Sequence, residues 1–116
     1  MKIRIAIAFC FFLPLIAAAK KDPAIDARKE YVLNYRKALE QLGYGSEVYV
    51  TVAGKDHDVL QILLVRFGVS GVISFEKQRV EPIRDDIKAQ GFRLIELKTD
   101  AYSETFPKGI WQLPLN

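Results

Sequence analysis

The sequence predicts an α+β domain, a two-layer sandwich in which helix-strand-strand occurs twice and a four-stranded antiparallel sheet carries the helices on one face. Two observations support this class. Apolar residues recur first at a helical spacing and then in alternation, and the whole pattern is repeated. In the repeat, LEQLGY at residues 39–44 is answered by IKAQGF at residues 87–92, each before a strand.

The first 19 residues have the composition of an export signal. A short basic start is followed by an apolar run over residues 5–16, and residues 17–19 are all alanine. An uncleaved membrane anchor is the alternative, but the apolar stretch is shorter than the roughly 20 residues that span hydrocarbon, and Pro14 interrupts it. We predict a cleaved signal peptide at 1–19, a single small domain at 20–116, a periplasmic or secreted location, and no membrane span after cleavage.

The predicted mature domain is almost neutral. The chain carries 17 basic and 14 acidic side chains, and Lys2 and Arg4 belong to the signal. Because it has no basic excess, the domain lacks the positive charge that is typical of nucleic-acid-binding proteins. Cys10, the single cysteine, also lies in the signal. Thiol catalysis, Fe–S clusters and Cys-ligated zinc are therefore excluded, no cofactor is predicted, and a small exported domain without disulfides favours a bacterial envelope protein.

The first helix-strand-strand unit is the clearest part of the chain. Asp22 is a good N-cap with Pro23 at the first helical position, and Gly43 ends the helix. The helical stripe repeats at spacings of three and four: Ile25, Arg28, Tyr31, Val32, Tyr35, Ala38, Leu39 and Leu42. An alternating strand over residues 48–52, a turn at 54–58 and a second strand at 59–65 then predict a hairpin.

The second unit repeats this order with an interruption at Pro82. We predict a short helix near 70–77, a break because the proline ring disfavours helical geometry at Glu81, and a helix from Pro82 to just before Gly91. Strands are predicted at 92–98 and 110–115, with a polar loop at 101–109 between them. Pro114 predicts that the last strand lies at an edge of the sheet.

The order of these elements is similar to that of small bacterial envelope modules such as the BON domain. The resemblance is one of element order alone, because the glycine-containing strand pattern of that family does not occur in this chain. It therefore assigns no site residue.

The only histidine lies between two acids, in Asp56-His57-Asp58. Such a cluster could bind a divalent metal or act as an acid–base pair, which gives the alternative function, a small hydrolase or metal-dependent enzyme. Adjacent residues in a turn point in different directions, however, and Asp is a usual turn residue, so we predict a turn. No nucleophile elbow, phosphate loop or dinucleotide motif occurs, and we predict no catalytic or metal-binding residue.

The second strand is apolar on both faces over its second half. If Leu60, Ile62 and Leu64 face the helices, the other alternate residues project from the opposite side of the sheet, which we call the open face. Residues expected there are Leu63 and Val65, near Tyr49 and Leu94. An over-apolar central strand, partly covered by the 101–109 loop, is the alternative to a binding patch.

Tyr102 and Phe106 lie in the polar 101–109 loop and either grip a ligand or cover one end of the core. Combining these features, we favour a non-enzymatic binding module over an enzyme. Its partner is a protein or an envelope polymer, or a second copy of the chain, bound through the open face or the 101–109 loop. The predicted binding residues are Tyr49, Leu63, Val65, Leu94, Tyr102 and Phe106.

Overall fold

The computed structural model describes residues 22–100, 103–104 and 106–116. The predicted signal peptide and Tyr102 therefore lie outside the described residues. Helix α1 and the four strands have these bounds: α1 Pro23–Gln41, β1 Val48–Ala53, β2 Val59–Leu64, β3 Leu94–Thr99 and β4 Ile110–Pro114. Across the described ranges, no helix is long and apolar enough to cross a membrane.

The capping residues at both ends of α1 act as predicted. The Asp22 carboxylate accepts a hydrogen bond from the Ala24 N–H at 2.9 Å, and Pro23 occupies the first turn. Gly43 ends the helix with a positive φ of 95°, which costs glycine little. Gly91 repeats this geometry, with a φ of 99°, before the second pair of strands. The helix-glycine-aromatic echo in the sequence therefore corresponds to a repeated local structure.

Between β2 and β3, residues 69–89 are helical without interruption. It forms α2 (Val69–Phe75), a π-helical turn (Glu76–Val80), a 3₁₀ turn (Glu81–Ile83) and α3 (Arg84–Ala89). The break expected before Pro82 is replaced by these two irregular turns, and Glu81 keeps right-handed helical torsions of −55° and −44°. A proline inside a regular α-helix clashes with the carbonyl four residues earlier, and a widened turn relieves this clash without interrupting the helix.

The sheet is mixed, so the prediction of a purely antiparallel sheet is wrong. Its strand order is β1-β2-β3-β4, with β1 and β4 antiparallel to their neighbours but β2 and β3 parallel. Each predicted strand pair within a unit is present. β3 runs parallel to β2 because the helical connection passes once back along the sheet. The chain therefore enters β3 at the same end of the sheet at which it entered β2. Pro114 lies on the edge strand β4, as predicted.

The core joins the helices to alternate residues of all four strands. The strand members of this cluster are Val48, Val50, Leu60, Ile62, Leu64, Ile95, Leu97 and Leu113, and the half-buried Val52 and Trp111 pack against it. Helical members include Val32 and Leu39 from α1, and Val72, Phe75 and Ile87 from the connection. The strand residues that alternate with this set do not belong to the cluster, which is the pattern of a sheet with one apolar face in the core.

Candidate binding surface

The register of the four strands arranges the open face in three rows that cross the whole sheet. One row is apolar apart from a single lysine: Tyr49, Leu63, Lys98 and Ile110. The middle row is polar: Thr51, Gln61, Glu96 and Gln112. The third row is small or apolar: Ala53, Val59, Leu94 and Pro114. A partner on this face would therefore meet an apolar strip and a polar strip side by side.

Tyr49 and Leu63 form the exposed apolar part of this face. They are direct cross-strand partners, and their side chains are 47% and 40% exposed. The Tyr49 hydroxyl lies 3.3 Å from the Ser46 carbonyl oxygen, to which it donates a hydrogen bond. Large apolar side chains paired in this way offer contact area that folding has left in water.

A hydrogen-bonded ladder crosses the middle row. Glu96 accepts from the amide of Gln61 at 2.8 Å and from the amide of Gln112 at 3.2 Å, one on each neighbouring strand. Both carboxylate oxygens are thus engaged, and the two glutamines are held in register. This ladder makes the centre of the open face a preorganised polar strip, with carbonyl oxygens of the amides still able to accept hydrogen bonds.

A shallow groove of about 630 Å³ runs from this ladder to the third row. Leu94 lines it, together with Gly54 of the hairpin turn and Arg93. The Arg93 guanidinium donates to Asp58 Oδ2 at 2.9 Å, so it is anchored at the edge of the groove. Leu94 thus has a place on the open face, half-buried and next to polar groups.

The remaining predicted residues lie outside the three rows. Val65 follows the end of β2, is half-buried, and donates its N–H to the Glu47 carbonyl at 2.9 Å. Phe106 is fully buried in the core, with its ring 5.3 Å from that of Trp111. Of the two roles considered for Phe106, its position is that of a residue covering the core. Tyr102 lies outside the described residues.

Asp56-His57-Asp58 forms the hairpin turn between β1 and β2, as predicted. The His57 N–H donates to the Gly54 carbonyl at 3.2 Å, and His57 has a positive φ of 56°. Asp58 Oδ1 and His57 Nδ1 are buried without a hydrogen-bond partner among the residues that the structure describes. No group of three or more acidic, histidine or cysteine side chains in the described ranges is arranged to hold a metal ion.

Sequence reasoning missed the role of Arg28. This side chain is only 9% exposed, and its guanidinium donates to the carbonyls of His57 at 2.7 Å, Asp56 at 3.3 Å and Gln90 at 3.4 Å. It also lies 5.9 Å from the centre of the Phe92 ring. An arginine on an otherwise apolar helical stripe was the available signal, since a buried guanidinium needs several acceptors.

A second missed cluster surrounds the π-helical turn. Glu76 is buried there, and both its burial and a side-chain hydrogen bond with Glu81 raise its pKa. Nearby, Tyr35 donates its hydroxyl to the Arg79 carbonyl at 2.8 Å, and burial raises the pKa of that phenol. Only the five-residue spacing of the π turn brings Glu76 beside Glu81, so helical periodicity at 3.6 residues gave no signal for this pair.

No family profile matches the chain, and no curated protein or solved structure shows significant similarity to it.

Proposed function

We propose that this chain is an exported, non-enzymatic binding module that captures a protein or an envelope polymer through its open face. In this arrangement the helices cover the core face of the sheet as a second layer, and the three rows of the opposite face contact the partner. The exposed pair Tyr49 and Leu63 is the observation that carries the proposal. Two large apolar side chains, opposed on neighbouring strands, keep 47% and 40% of their surface exposed, and a partner that covered this area would gain apolar contact.

The polar ladder next to this pair supports the same proposal. Binding surfaces commonly combine apolar anchors with a polar surround whose hydrogen-bonding groups are held in place. Here Gln61, Glu96 and Gln112 provide such groups on three adjacent strands. Because they are linked to one another, they lose little side-chain entropy when a partner binds.

Replacing Leu63 with lysine tests this function. We expect Leu63→Lys to abolish capture of the partner from envelope extract, because it places a charge in the apolar contact, while the unfolding free energy changes by less than about 1 kcal/mol at this exposed position. The measurement pairs a quantitative pull-down with thermal denaturation, and sedimentation velocity reports whether the partner is a second copy.

Leu42→Lys is the matched control, since Leu42 is 54% exposed and follows α1, away from the sheet. This variant should capture the partner as well as the unaltered protein does. If Leu63→Lys unfolds the domain, Leu63 belongs to the core and the proposed surface does not exist. Equal capture by both lysine variants would also contradict the proposal.

A further inference from the structure

The groove on the open face combines apolar and polar groups within the reach of one ligand. Its volume is about 630 Å³. Ligand sites in proteins usually measure about 300–1,000 Å³. The polar part of its lining is the Gln61–Glu96–Gln112 ladder together with Arg93. The apolar part takes one residue from each of the four strands: Ala53, Val59, Leu94 and Pro114.

These groups are accessible to a ligand. Arg93 and Gln112 are exposed, and the Arg93 side chain keeps 62% of its surface in solvent. Gln61, Glu96 and Leu94 are half-buried, so part of each residue still faces solvent. A molecule in the groove would therefore meet polar side chains on three strands without any rearrangement of the sheet.

The ladder retains hydrogen-bonding capacity that the domain does not use. Each glutamine donates one amide N–H to Glu96, and no described residue bonds to the carbonyl oxygen of either glutamine. A primary amide has a second N–H and a carbonyl with two lone pairs, so Gln61 and Gln112 can each still donate and accept. Arg93 uses its Nε on Asp58, and its two terminal nitrogens carry further donors.

The charged groups around the groove are engaged within the domain. The Arg93 guanidinium is paired with Asp58 at 2.9 Å, and both oxygens of Glu96 accept from amides. The main-chain oxygen of Asn116 accepts from the Lys88 ammonium at 2.6 Å. An ionic ligand would have to compete with these contacts, whereas an uncharged ligand needs only the spare donors and acceptors.

We infer that this groove binds a neutral, hydroxyl-rich glycan chain. A hydroxyl group both donates and accepts, and its O–H rotates to suit its partner, so a row of hydroxyls satisfies the mixed donors and acceptors of the ladder. The C–H faces of sugar rings are apolar and can lie on Leu94 and Pro114. This inference rests on the proposed binding function and names a glycan polymer as the ligand of this half of the open face.

The spacing of the ladder favours a polymer of sugars over a peptide. Neighbouring strands lie about 4.8 Å apart, so Gln61, Glu96 and Gln112 span roughly 10 Å across the sheet. In an extended peptide, main-chain groups on the same side recur only about every 7 Å, which does not match this spacing. Hydroxyl groups occur on neighbouring carbons of every sugar ring, so a glycan presents partners along the whole ladder.

Titration with neutral oligosaccharides tests the inference. The probes are cellotetraose, maltotetraose and tetra-N-acetylchitotetraose, each added to the isotope-labelled exported protein and followed by NMR. We expect at least one to bind saturably with a Kd below about 5 mM and to shift the side-chain amide signals of Gln61 and Gln112. Because the ligand is uncharged, a tenfold increase in salt should change this Kd less than about twofold. Absence of binding by all three probes overturns the inference.

Alanine variants of the ladder identify the surface. Gln61→Ala combined with Gln112→Ala should weaken the oligosaccharide at least about tenfold, because both amides lose their contacts. Thr51→Ala is the matched control, since Thr51 belongs to the same row but does not line the groove, and it should change the Kd less than about twofold. Circular dichroism checks folding. If the double variant is unfolded, Gln112→Ala on the edge strand decides, with an expected loss of about threefold. Equal binding by the ladder variant and Thr51→Ala would contradict the inference.

A neutral peptide separates the two classes of partner. Ser-Gln-Leu-Ser-Gln-Leu with blocked ends carries hydroxyls, amides and apolar side chains, and it should leave the Gln61 and Gln112 signals unchanged. Binding of this peptide in the groove in place of the oligosaccharides would assign the groove to a protein and overturn the inference. Leu63→Lys should bind the oligosaccharide normally, because Leu63 lies outside the groove. The glycan test can therefore fail while capture of a protein through Tyr49 and Leu63 stands.

Discussion

At the scale of single residues, Arg28 fixes the backbone conformation of the Asp56-His57-Asp58 turn. Its guanidinium holds the carbonyls of Asp56 and His57 and reaches the Gln90 carbonyl just before Gly91. A side chain added at Gly91 would approach Arg28 Nη1 to 2.7 Å. One buried arginine therefore joins the hairpin turn to the end of the helical connection, and the backbone of residues 56–57 serves as its acceptor.

His57→Ala tests the enzyme alternative directly. We expect the unfolding free energy to change by no more than about 0.5 kcal/mol, because the imidazole Nδ1 has no hydrogen-bond partner among the described residues and its loss breaks no contact of that kind. Urea denaturation measures this change. His57→Gly is the matched variant, and it should be at least as stable as the alanine variant, since glycine accepts the φ of 56° without strain.

Metal content and activity decide the same question independently of stability. Loss of stoichiometric zinc, or of a hydrolytic activity, in the folded His57→Ala variant would support the enzyme and contradict the binding module. The hydrogen bonds of Arg28 to the turn do not involve the His57 imidazole, because they use only the main-chain carbonyls of Asp56 and His57.

At the scale of elements, the π-helical turn gives stability an unusual dependence on pH. Burial raises the pKa of Glu76, and its hydrogen bond with Glu81 raises it further, so the folded protein retains this proton to a higher pH than the unfolded chain does. Between the two pKa values the folded state binds more protons. Stability contributed by this group is therefore full at low pH and is lost as the pH rises through the folded pKa.

Glu76→Gln should remove this dependence. A glutamine keeps a hydrogen-bonding side chain but cannot ionise, so we expect the variant to be more stable than the unaltered protein near pH 7, with the difference shrinking towards about pH 4. Chemical denaturation across that pH range measures it. Glu40→Gln, which alters an exposed carboxylate on α1, is the control. A Glu76→Gln variant that is less stable at neutral pH would contradict the assignment.

The direction of β3 is the feature at this scale that the sequence prediction placed wrongly. The repeat of helix-strand-strand predicted two units that share one antiparallel sheet, and Pro82 predicted a break in the second helical segment. The π and 3₁₀ turns absorb the proline instead, and the chain makes one pass. The free-energy cost of a proline within this helical segment depends on how far the surrounding turn can widen. The helix propensities of single residues do not describe that widening.

At the scale of the whole molecule, the proposed location depends on the segment that precedes α1. We expect protein recovered from the periplasmic fraction to have the intact mass of residues 20–116, because the small residues at 17–19 and the short apolar run are typical of a cleaved export signal. Mass spectrometry of the periplasmic and membrane fractions measures this. Recovery with membranes alone, with Met1 retained, would contradict both cleavage and the periplasmic location.

The sequence by itself determined α1, the four strands and the alternation of side chains between the two faces of each strand. Apolar residues that recur every three to four positions mark a helix and those that recur every two positions mark a strand, because each pattern reflects local backbone geometry. Gly43 and Gly91 end helices because glycine adopts a positive φ easily. The alternation in β2 also predicted the exposure of Leu63 opposite Tyr49 correctly, because a strand's side chains alternate whatever its neighbours are.

Only the tertiary structure decided how those elements meet. The parallel β2–β3 pairing, the Gln61–Glu96–Gln112 ladder, the Arg28 clamp and the burial of Phe106 all join residues distant in the chain. The β2–β3 pairing and its register follow from the single pass of the helical connection, whereas the Arg28 contacts with residues 56–57 follow from the packing of α1 beside the hairpin turn. Contacts of this kind are set by the packing of complete elements, whereas sequence periodicity reports only which way each side chain points within its own element.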